Sequence, residues 1–564
     1  MGAADCRRGG KREQRALRRR SAPLRASLSR ALGLLALVLL LGACAGRGPS
    51  IEVPPEAPPP PALSAEEIHQ LLGRAPPILI DGVALGNVDA VRSFYAAREH
   101  RPAFTGIECT RRMPALAEAL AQAAAHGLNP ADYHLDRFRG AAACAAANEL
   151  LASDAWLRLA QHLHAGRIDP RTVEPDWTAT RPELDRATLL TQALAQETLA
   201  ASLAALAPQD AYYRALQAAL ALWRERAQGG NWPVLDSGPT LRPGDRDPRV
   251  RQLRERLAAE GYLAELPAAA DPELYDGELA QQLRRYQQAA HLDVDGAVGR
   301  ETLAELTRSP AERVAQLAAN LERWRWLPDS LGERHIRVNI ADFQLEARAG
   351  GRIEAVHRII VGKQLRRTPS FSASMRYIVV NPWWEVPRRL AVEDKLPLFQ
   401  REPEAVQRLG FQVLDASNQI VDPAGIDWNA YTRRSFPFRL RQQPGPENAL
   451  GKVKLMFPNR HDVYLHDTPG RTLFERSRRN FSSGCMRVEH PLALAAWALA
   501  DSQAWPLARL EAIAASQKET SISLKQRVPV HVQYLTAVVD AGEVRFVYDL
   551  YQRDAALIAA LQTP

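Results

Sequence analysis

From about residue 335 onward apolar and polar residues alternate: Ile336-Arg-Val-Asn-Ile340, Phe343-Gln-Leu-Glu-Ala347, His357-Arg-Ile-Ile-Val361, Tyr377-Ile-Val-Val380 and Val453-Lys-Leu-Met-Phe457. A period of two is that of strands with one buried face, and turn residues such as Ala349-Gly-Gly351 separate the runs. The pattern predicts a β-rich domain over 320–515 with a less regular, partly helical insert at 390–440. Upstream, 64–235 is rich in Ala and Leu at three- and four-residue steps, as in Met113-Pro-Ala-Leu-Ala-Glu-Ala-Leu and Ala155-Trp-Leu-Arg-Leu-Ala-Gln-His-Leu, which predicts an all-helical domain. Asn231-Trp-Pro and Ser237-Gly-Pro mark a linker. Between them and the β-rich part, 240–308 holds a one-faced helix on Val250, Leu253 and Leu257 closed at Gly261, then a second helix over 279–290. A helix over 493–500, strands over 528–534 and 544–548 and a terminal helix end the chain, with 516–564 read as additions to the β-rich domain. The fold class expected is multidomain α+β.

Charge adds less than it first suggests. The formal net charge is +8, but residues 1–43 hold ten Lys and Arg against two Asp and Glu, leaving 62 of each sign in the rest. No basic groove and no nucleic-acid partner is implied. After the arginines an apolar run over 31–41 ends in Leu41-Gly-Ala-Cys44, too short to span a bilayer comfortably and of the size of a signal core. Two readings stay open for this 1–44 leader: a lipoprotein signal, since Leu-Gly-Ala-Cys resembles the bacterial lipobox with Cys44 as the lipidated residue, or an ordinary signal or anchor. Either places the chain in the periplasm or cell envelope, with membrane contact only through the leader or a lipid. The Pro-rich linker at 45–63 favours extended polyproline backbone and reads as a stalk. Cys6 and Cys44 belong to the leader, while Cys109 and Cys144 either pair in an oxidising compartment or stay as two buried thiols.

The chemistry concentrates near the C-terminal end. Tyr464-Leu-His466-Asp-Thr-Pro is followed, after an arginine-rich stretch, by Phe481-Ser-Ser-Gly484-Cys485-Met-Arg487. A cysteine behind a small, flexible turn presents its sulfur and its N–H to a carbonyl, and a strand-end histidine can take its proton. Taken as a strand, 462–466 puts Tyr464 and His466 on one face and His461 on the other. That parity works against a zinc set of His461, His466, Cys485 and His490, and no metal-binding motif accompanies it. No metal and no cofactor is expected; His461 and His490 are read as surface residues.

This arrangement resembles the L,D-transpeptidase catalytic family, the YkuD-type fold. The family pattern is a strand-end histidine, a gap of under twenty residues, then Ser/Thr-His-Gly-Cys, an apolar residue and Asn or Arg. His466, Gly484, Cys485, Met486 and Arg487 fill those places, while Ser483 stands where the second histidine is usual, as in the large periplasmic branch. Arg441-Gln-Gln-Pro-Gly-Pro-Glu-Asn448-Ala-Leu-Gly451, Asn381-Pro-Trp-Trp-Glu-Val-Pro387 and Leu321-Glu-Arg-Trp-Arg-Trp326 extend the likeness. The helical region, with Phe94-Tyr-Ala-Ala-Arg98 and Ala165-Gly-Arg-Ile-Asp-Pro170, looks like that branch's scaffold domain, where Tyr133, His162 and His164 read as packing residues. Asp295-Gly-Ala-Val-Gly-Arg-Glu-Thr302 resembles the signature of the small three-helix peptidoglycan-binding domain, here either a binder or a spacer.

The resemblance implies a transpeptidase acting on peptidoglycan stem peptides, a tetrapeptide donor and an amine acceptor, with carbapenem β-lactams acylating the same thiol. Cys485 is then the nucleophile and His466 the general base and acid, oriented by a third group that in this family is often a backbone carbonyl. Gly484, Ser483 and Tyr464 are read as oxyanion or support residues, and Arg487, Trp383, Trp384 and Asn448 as substrate-binding. Arg487 equally suits an ion pair within its loop, and the tryptophans and Tyr464 equally suit core packing. The insert at 390–440 is expected to cap the site. Two rival functions remain: a hydrolytic L,D-carboxypeptidase or endopeptidase, and a non-catalytic peptidoglycan-binding scaffold.

Overall fold

A computed structural model describes residues 62–563 except 180–182, 231, 264–270 and 501–502. The leader, Cys44 and nearly all of the Pro-rich linker lie outside the described residues.

Eight strands form the catalytic-region barrel: β1 (Arg334–Asn339), β2 (Gln344–Ala349), β3 (Arg352–Ile360), β4 (Phe371–Val380), β5 (Val453–Met456), β6 (Leu465–His466), β7 (Met486–Val488) and β8 (Thr520–Gln533). They close in the order β5-β6-β7-β3-β2-β1-β8-β4. The predicted alternation fills the interior: Ile336, Val338, Leu345, Ile378, Leu455 and Val530 are all fully buried there. Two contacts are parallel, β6 with β7 and β1 with β8; the others are antiparallel. The C-terminal boundary at 515 therefore needs correcting. β8 is a staple of the barrel, pairing β1 on one side and β4 on the other, so the sheet is incomplete without residues 520–533.

The insert begins and ends earlier and later than its irregular stretch. Trp384–Glu385, Phe411–Leu414, Ile420–Val421 and Arg439–Gln442 make a four-stranded sheet whose core runs from Trp384 to Leu450, including Phe399, Trp428 and Phe436. Tyr464, just before β6, packs against both this core and the barrel core.

The helical region centres on α1 (Asn148–Ala165), which is buried on nearly every side and so lacks an amphipathic stripe. Its first turn carries Glu149, a fully buried carboxylate that accepts from the Tyr95 hydroxyl (2.5 Å), the Phe104 amide (3.0 Å), and the amide and hydroxyl of Thr105 (2.8 and 2.7 Å). A charge can stay buried there because its lone pairs are satisfied. Cys109 and Cys144 are joined as a disulfide. A short hairpin, Leu79–Ile80 with Val83–Ala84, interrupts the otherwise helical run.

The scaffold core also extends past 235. α2 (Ala211–Gln228) packs on α3 (Pro310–Arg325), which opens with a Ser309/Glu312 capping box, and Leu317, Leu321 and Trp324 of α3 join the helical core. α3 then ties the helical and barrel parts together. Arg323 pairs with Glu174 (3.3 Å) and Asp554 (2.5 Å), and Asn320 donates to the Thr536 hydroxyl (2.9 Å). Between these parts, Arg249–Ala259, Gly277–Ala289 and Arg300–Leu306 form a three-helix unit with its own core on Leu253, Leu283 and Leu306.

Candidate active site

β6 and β7 run side by side with Leu465 opposite Met486 and His466 opposite Arg487. Leu465, Met486 and Val488 are fully buried in the barrel, so their neighbours His466 and Arg487 face outward, toward the insert. Cys485 sits one residue before β7, across from Tyr464, whose carbonyl accepts from the Met486 amide (3.1 Å). Parallel pairing thus brings Tyr464, His466, Cys485 and Arg487 to one outer face. The strand is shorter than the alternation suggests: only Leu465–His466 pairs, and 462–464 follow, without strand pairing, a turn at 459–462 that leaves Asp462 at φ +51°.

His466 is buried, and its Nδ1–H donates to the backbone carbonyl of Asp467 (2.6 Å), leaving Nε2 as the basic nitrogen. The Asp467 carboxylate points elsewhere: it accepts from the Lys452 amide (2.8 Å), pairs with Arg471 (3.0 Å), and occupies the space where a Cβ on Gly451 would lie. Burial, then the nearby Arg487 charge, pushes the imidazole down to about 3, against the smaller opposing effect of the Asp467 carbonyl.

Cys485 is half-buried, and burial pushes its thiol up to about 11 despite hydrogen bonding from Tyr464 and the Arg487 charge. The thiol donates weakly to the Asp462 carbonyl (3.8 Å). The Tyr464 hydroxyl lies near the sulfur and near Trp384. Both partners are therefore neutral at pH 7. The resting site is a thiol and a free base on one face.

The loop before Cys485 is built by residues the motif does not advertise. Gly484 sits at φ +122°, a region that favours glycine. Its N–H donates to the Ser482 hydroxyl (3.1 Å), and that hydroxyl donates to the Cys485 carbonyl (2.5 Å). Thr368 donates to the Gly484 carbonyl (2.8 Å) while accepting from the Gly362 amide (2.9 Å), and Tyr551 donates to the Gly362 carbonyl (2.6 Å). Gly484 therefore does not offer a free oxyanion donor. Among the described residues the Cys485 N–H has no partner, and it is the amide available for that task.

Three further expectations change. Ser483 is exposed and its hydroxyl accepts from Arg366 (2.9 Å), which also pairs with Glu393 (2.8 Å) and Asp394 (2.7 Å) of the insert; Ser483 thus ties the loop to the insert and does not face the sulfur. Asn448 is buried, with Nδ2 donating to the carbonyls of Pro382 (3.0 Å) and Gln443 (2.9 Å) and Oδ1 accepting from Leu450 N (2.8 Å), so every group holds a turn and none is left for substrate. His461 is half-buried against Phe371 (5.2 Å between rings). Trp384 lies in the insert core, and Trp383 is half-buried under the Arg441 guanidinium (4.8 Å). Arg487 makes no ion pair among the described residues, and its charge acts on the Cys485 thiol. His490 is exposed.

Comparison with known proteins separates three regions. The family model "L,D-transpeptidase catalytic domain" matches residues 333–529, the barrel except the last four residues of β8, with its insert and the His466/Cys485 face. This chain carries an L,D-transpeptidase catalytic domain of the YkuD family. The other two matches are "Scaffold domain" over 89–220 and "Putative peptidoglycan binding domain" over 246–306. A Haemophilus influenzae protein named "Putative L,D-transpeptidase" is 38% identical over 239 residues, 42% of this chain and 48% of that relative, so the match spans about half the relative's length. The crystal structure of an L,D-transpeptidase fragment from Xylanimonas cellulosilytica is 14% identical over 53% of this chain and 98% of the fragment, with a TM-score of 0.16, too low to bear on the fold.

Proposed function

We propose that the protein is an L,D-transpeptidase that forms 3→3 cross-links between peptidoglycan stem peptides through a Cys485 acyl-enzyme. The observation that carries this reading is the shared outer face of β6 and β7, which holds both a neutral thiol and an imidazole whose Nδ1–H is held by a carbonyl and whose Nε2 is free.

In the proposed reaction His466 Nε2 takes the thiol proton as Sγ attacks the carbonyl of the donor stem's third residue. The Cys485 N–H stabilises the resulting oxyanion, a donor worth about 3–4 kcal/mol in comparable sites. The C–N bond to the terminal D-alanine breaks, and the imidazolium gives its proton to that leaving amine. An acceptor amine then attacks the thioester, losing its proton to His466, and the C–S bond breaks to return the thiol. Arg487, unpaired beside Cys485, is assigned to a substrate carboxylate. The insert, whose core packs against Tyr464, would keep water from the thioester and so favour amine as acceptor.

The family and the peptidoglycan-binding match suggest a cell-envelope location. No helix among the described residues is long and apolar enough to cross a membrane. We assign attachment to the leader, through a lipid on Cys44 or an uncleaved signal. Carbapenems are proposed to acylate Cys485.

Incubating the protein with disaccharide-tetrapeptide and separating the products tests the reaction. A dimer lacking one D-alanine is expected. Shortened monomer alone would assign the chain to hydrolysis, and unchanged substrate with sacculus binding retained would assign it to a non-catalytic wall-binding role.

A further inference from the structure

A cavity of about 750 Å³ is walled by the end of α1, the segment after it, Trp326 and the barrel loop residue Arg460. None of its lining belongs to the catalytic face described above. Its charge is one-sided: Arg167, Arg171, Arg186 and Arg460 face Asp169 and Glu183. Two of the arginines are already committed, Arg167 to Asp132 (2.7 Å) and Arg171 to Asp169 (3.1 Å). The Arg186 guanidinium is half-buried and has no hydrogen bond or ion pair among the described residues; that of Arg460 is exposed and among them reaches only the Pro175 carbonyl (3.4 Å). A half-buried guanidinium with no acceptor is costly to keep unless an anion visits it, and planar bidentate recognition of a carboxylate is what Arg does best.

The cavity and the thiol share one loop. Arg460 stands in the turn that Asp462 N–H closes on the Asn459 carbonyl (3.4 Å), two residues before Asp462, whose carbonyl takes the Cys485 thiol. The same loop leans on the scaffold segment: Arg460 bonds Pro175, and His461 meets the Asp176 backbone. A wall polymer with one stem at Cys485 therefore has neighbouring peptide within reach of the cavity. Edges of Trp177 and Trp326, set against each other at 5.7 Å, supply an apolar wall for the uncharged parts of such a ligand.

We propose that this cavity is a second substrate subsite, in which Arg186 and Arg460 bind carboxylates of a peptidoglycan stem peptide engaged with the catalytic domain. The inference rests on the proposed function for its ligand class, and it gives the scaffold domain a part in substrate binding.

The test uses the full chain carrying Cys485→Ala, which blocks turnover, titrated calorimetrically with disaccharide-tetrapeptide and with the same muropeptide bearing amidated carboxyls. Adding Arg186→Gln and Arg460→Gln is expected to weaken binding of the acidic ligand at least tenfold and to leave binding of the amidated ligand unchanged. A change under twofold, an equal loss for both ligands, or no binding to the parent chain overturns the proposal. Should the double variant fold poorly, Arg460→Gln alone, on an exposed side chain, gives the same comparison, with at least a threefold selective loss expected and none overturning it. Loss of cross-linking chemistry in the wild type with arginine-dependent binding intact would overturn the reaction proposed above and leave this subsite standing.

Discussion

A thiol pushed up to about 11 and an imidazole pushed down to about 3 do not exchange a proton in the resting site. Their pH dependence follows. Cross-linking kcat/KM should stay flat from about pH 5 to 9, with no fall through 6.5 of the kind an ordinary histidine base gives. In the absence of substrate, alkylation of Cys485 by iodoacetamide should climb about tenfold per pH unit toward pH 11. An acid limb near 6.5, or alkylation that levels off by pH 7, would instead indicate a thiolate–imidazolium pair. Ser482 carries a second consequence, because its one hydroxyl fixes both the Gly484 amide and the Cys485 carbonyl. Ser482→Ala should lower kcat about tenfold to a hundredfold with KM little changed, since a small displacement of the sulfur suffices; steady-state kinetics beside a melting curve checks this. At this scale the sequence names Cys485 and His466 directly. It cannot say which of two adjacent serines faces inward. It also gives no hint of Thr368, 116 residues from Gly484, or of Tyr551, 189 residues from Gly362, because such partners are set by barrel closure alone.

Among the elements, the insert and the catalytic loop are joined by one side chain. Arg366 holds Glu393 and Asp394 on one side and the Ser483 hydroxyl on the other, and it is largely buried in doing so. Arg366→Ala should raise hydrogen exchange over 391–401 about fivefold, the size of a 1 kcal/mol contact, and raise the share of hydrolysed over cross-linked product. Unchanged exchange would mean that the insert is held by its Tyr464 and Trp384 packing alone. Alternation made the barrel strands legible, since one face of each is buried. The alternation extends β6 to 462–466 because Tyr464 and His466 share an outer face even though only Leu465–His466 pairs as a strand. Asn448 looked like a ligand-binding residue for a similar reason: a polar residue in a Gly/Pro loop reads alike whether it faces substrate or satisfies its own turn.

Across the whole molecule, boundaries were the least legible feature, because core completion is non-local. α3 belongs to the helical core by packing and to the barrel by connection, and β8 closes a sheet that the chain left at Val488. Buried histidines give the folded chain a common acid sensitivity. Burial holds His126, His357 and His531 near 4 and His162 and His466 near 3, all below the unfolded value of about 6.5. The unfolded chain then binds more protons as pH drops, so stability is full above 6.5 and is lost as pH falls toward 4. Each such group adds up to about 1.4 kcal/mol per pH unit. Calorimetric melting should be level between pH 7 and 8 and decline steeply below 6.5; a Tm that holds or rises down to pH 5 would show these rings exposed.

Covalent chemistry at Cys485 is tested by intact-mass spectrometry of the protein quenched in acid during reaction with disaccharide-tetrapeptide, and separately after a carbapenem. Wild-type adducts are expected, the stem less one D-alanine in the first case and the drug in the second, both located to Cys485 by peptide mapping and both absent from Cys485→Ala. Cross-linked product formed by Cys485→Ala, or an adduct mapped to another residue, would contradict it.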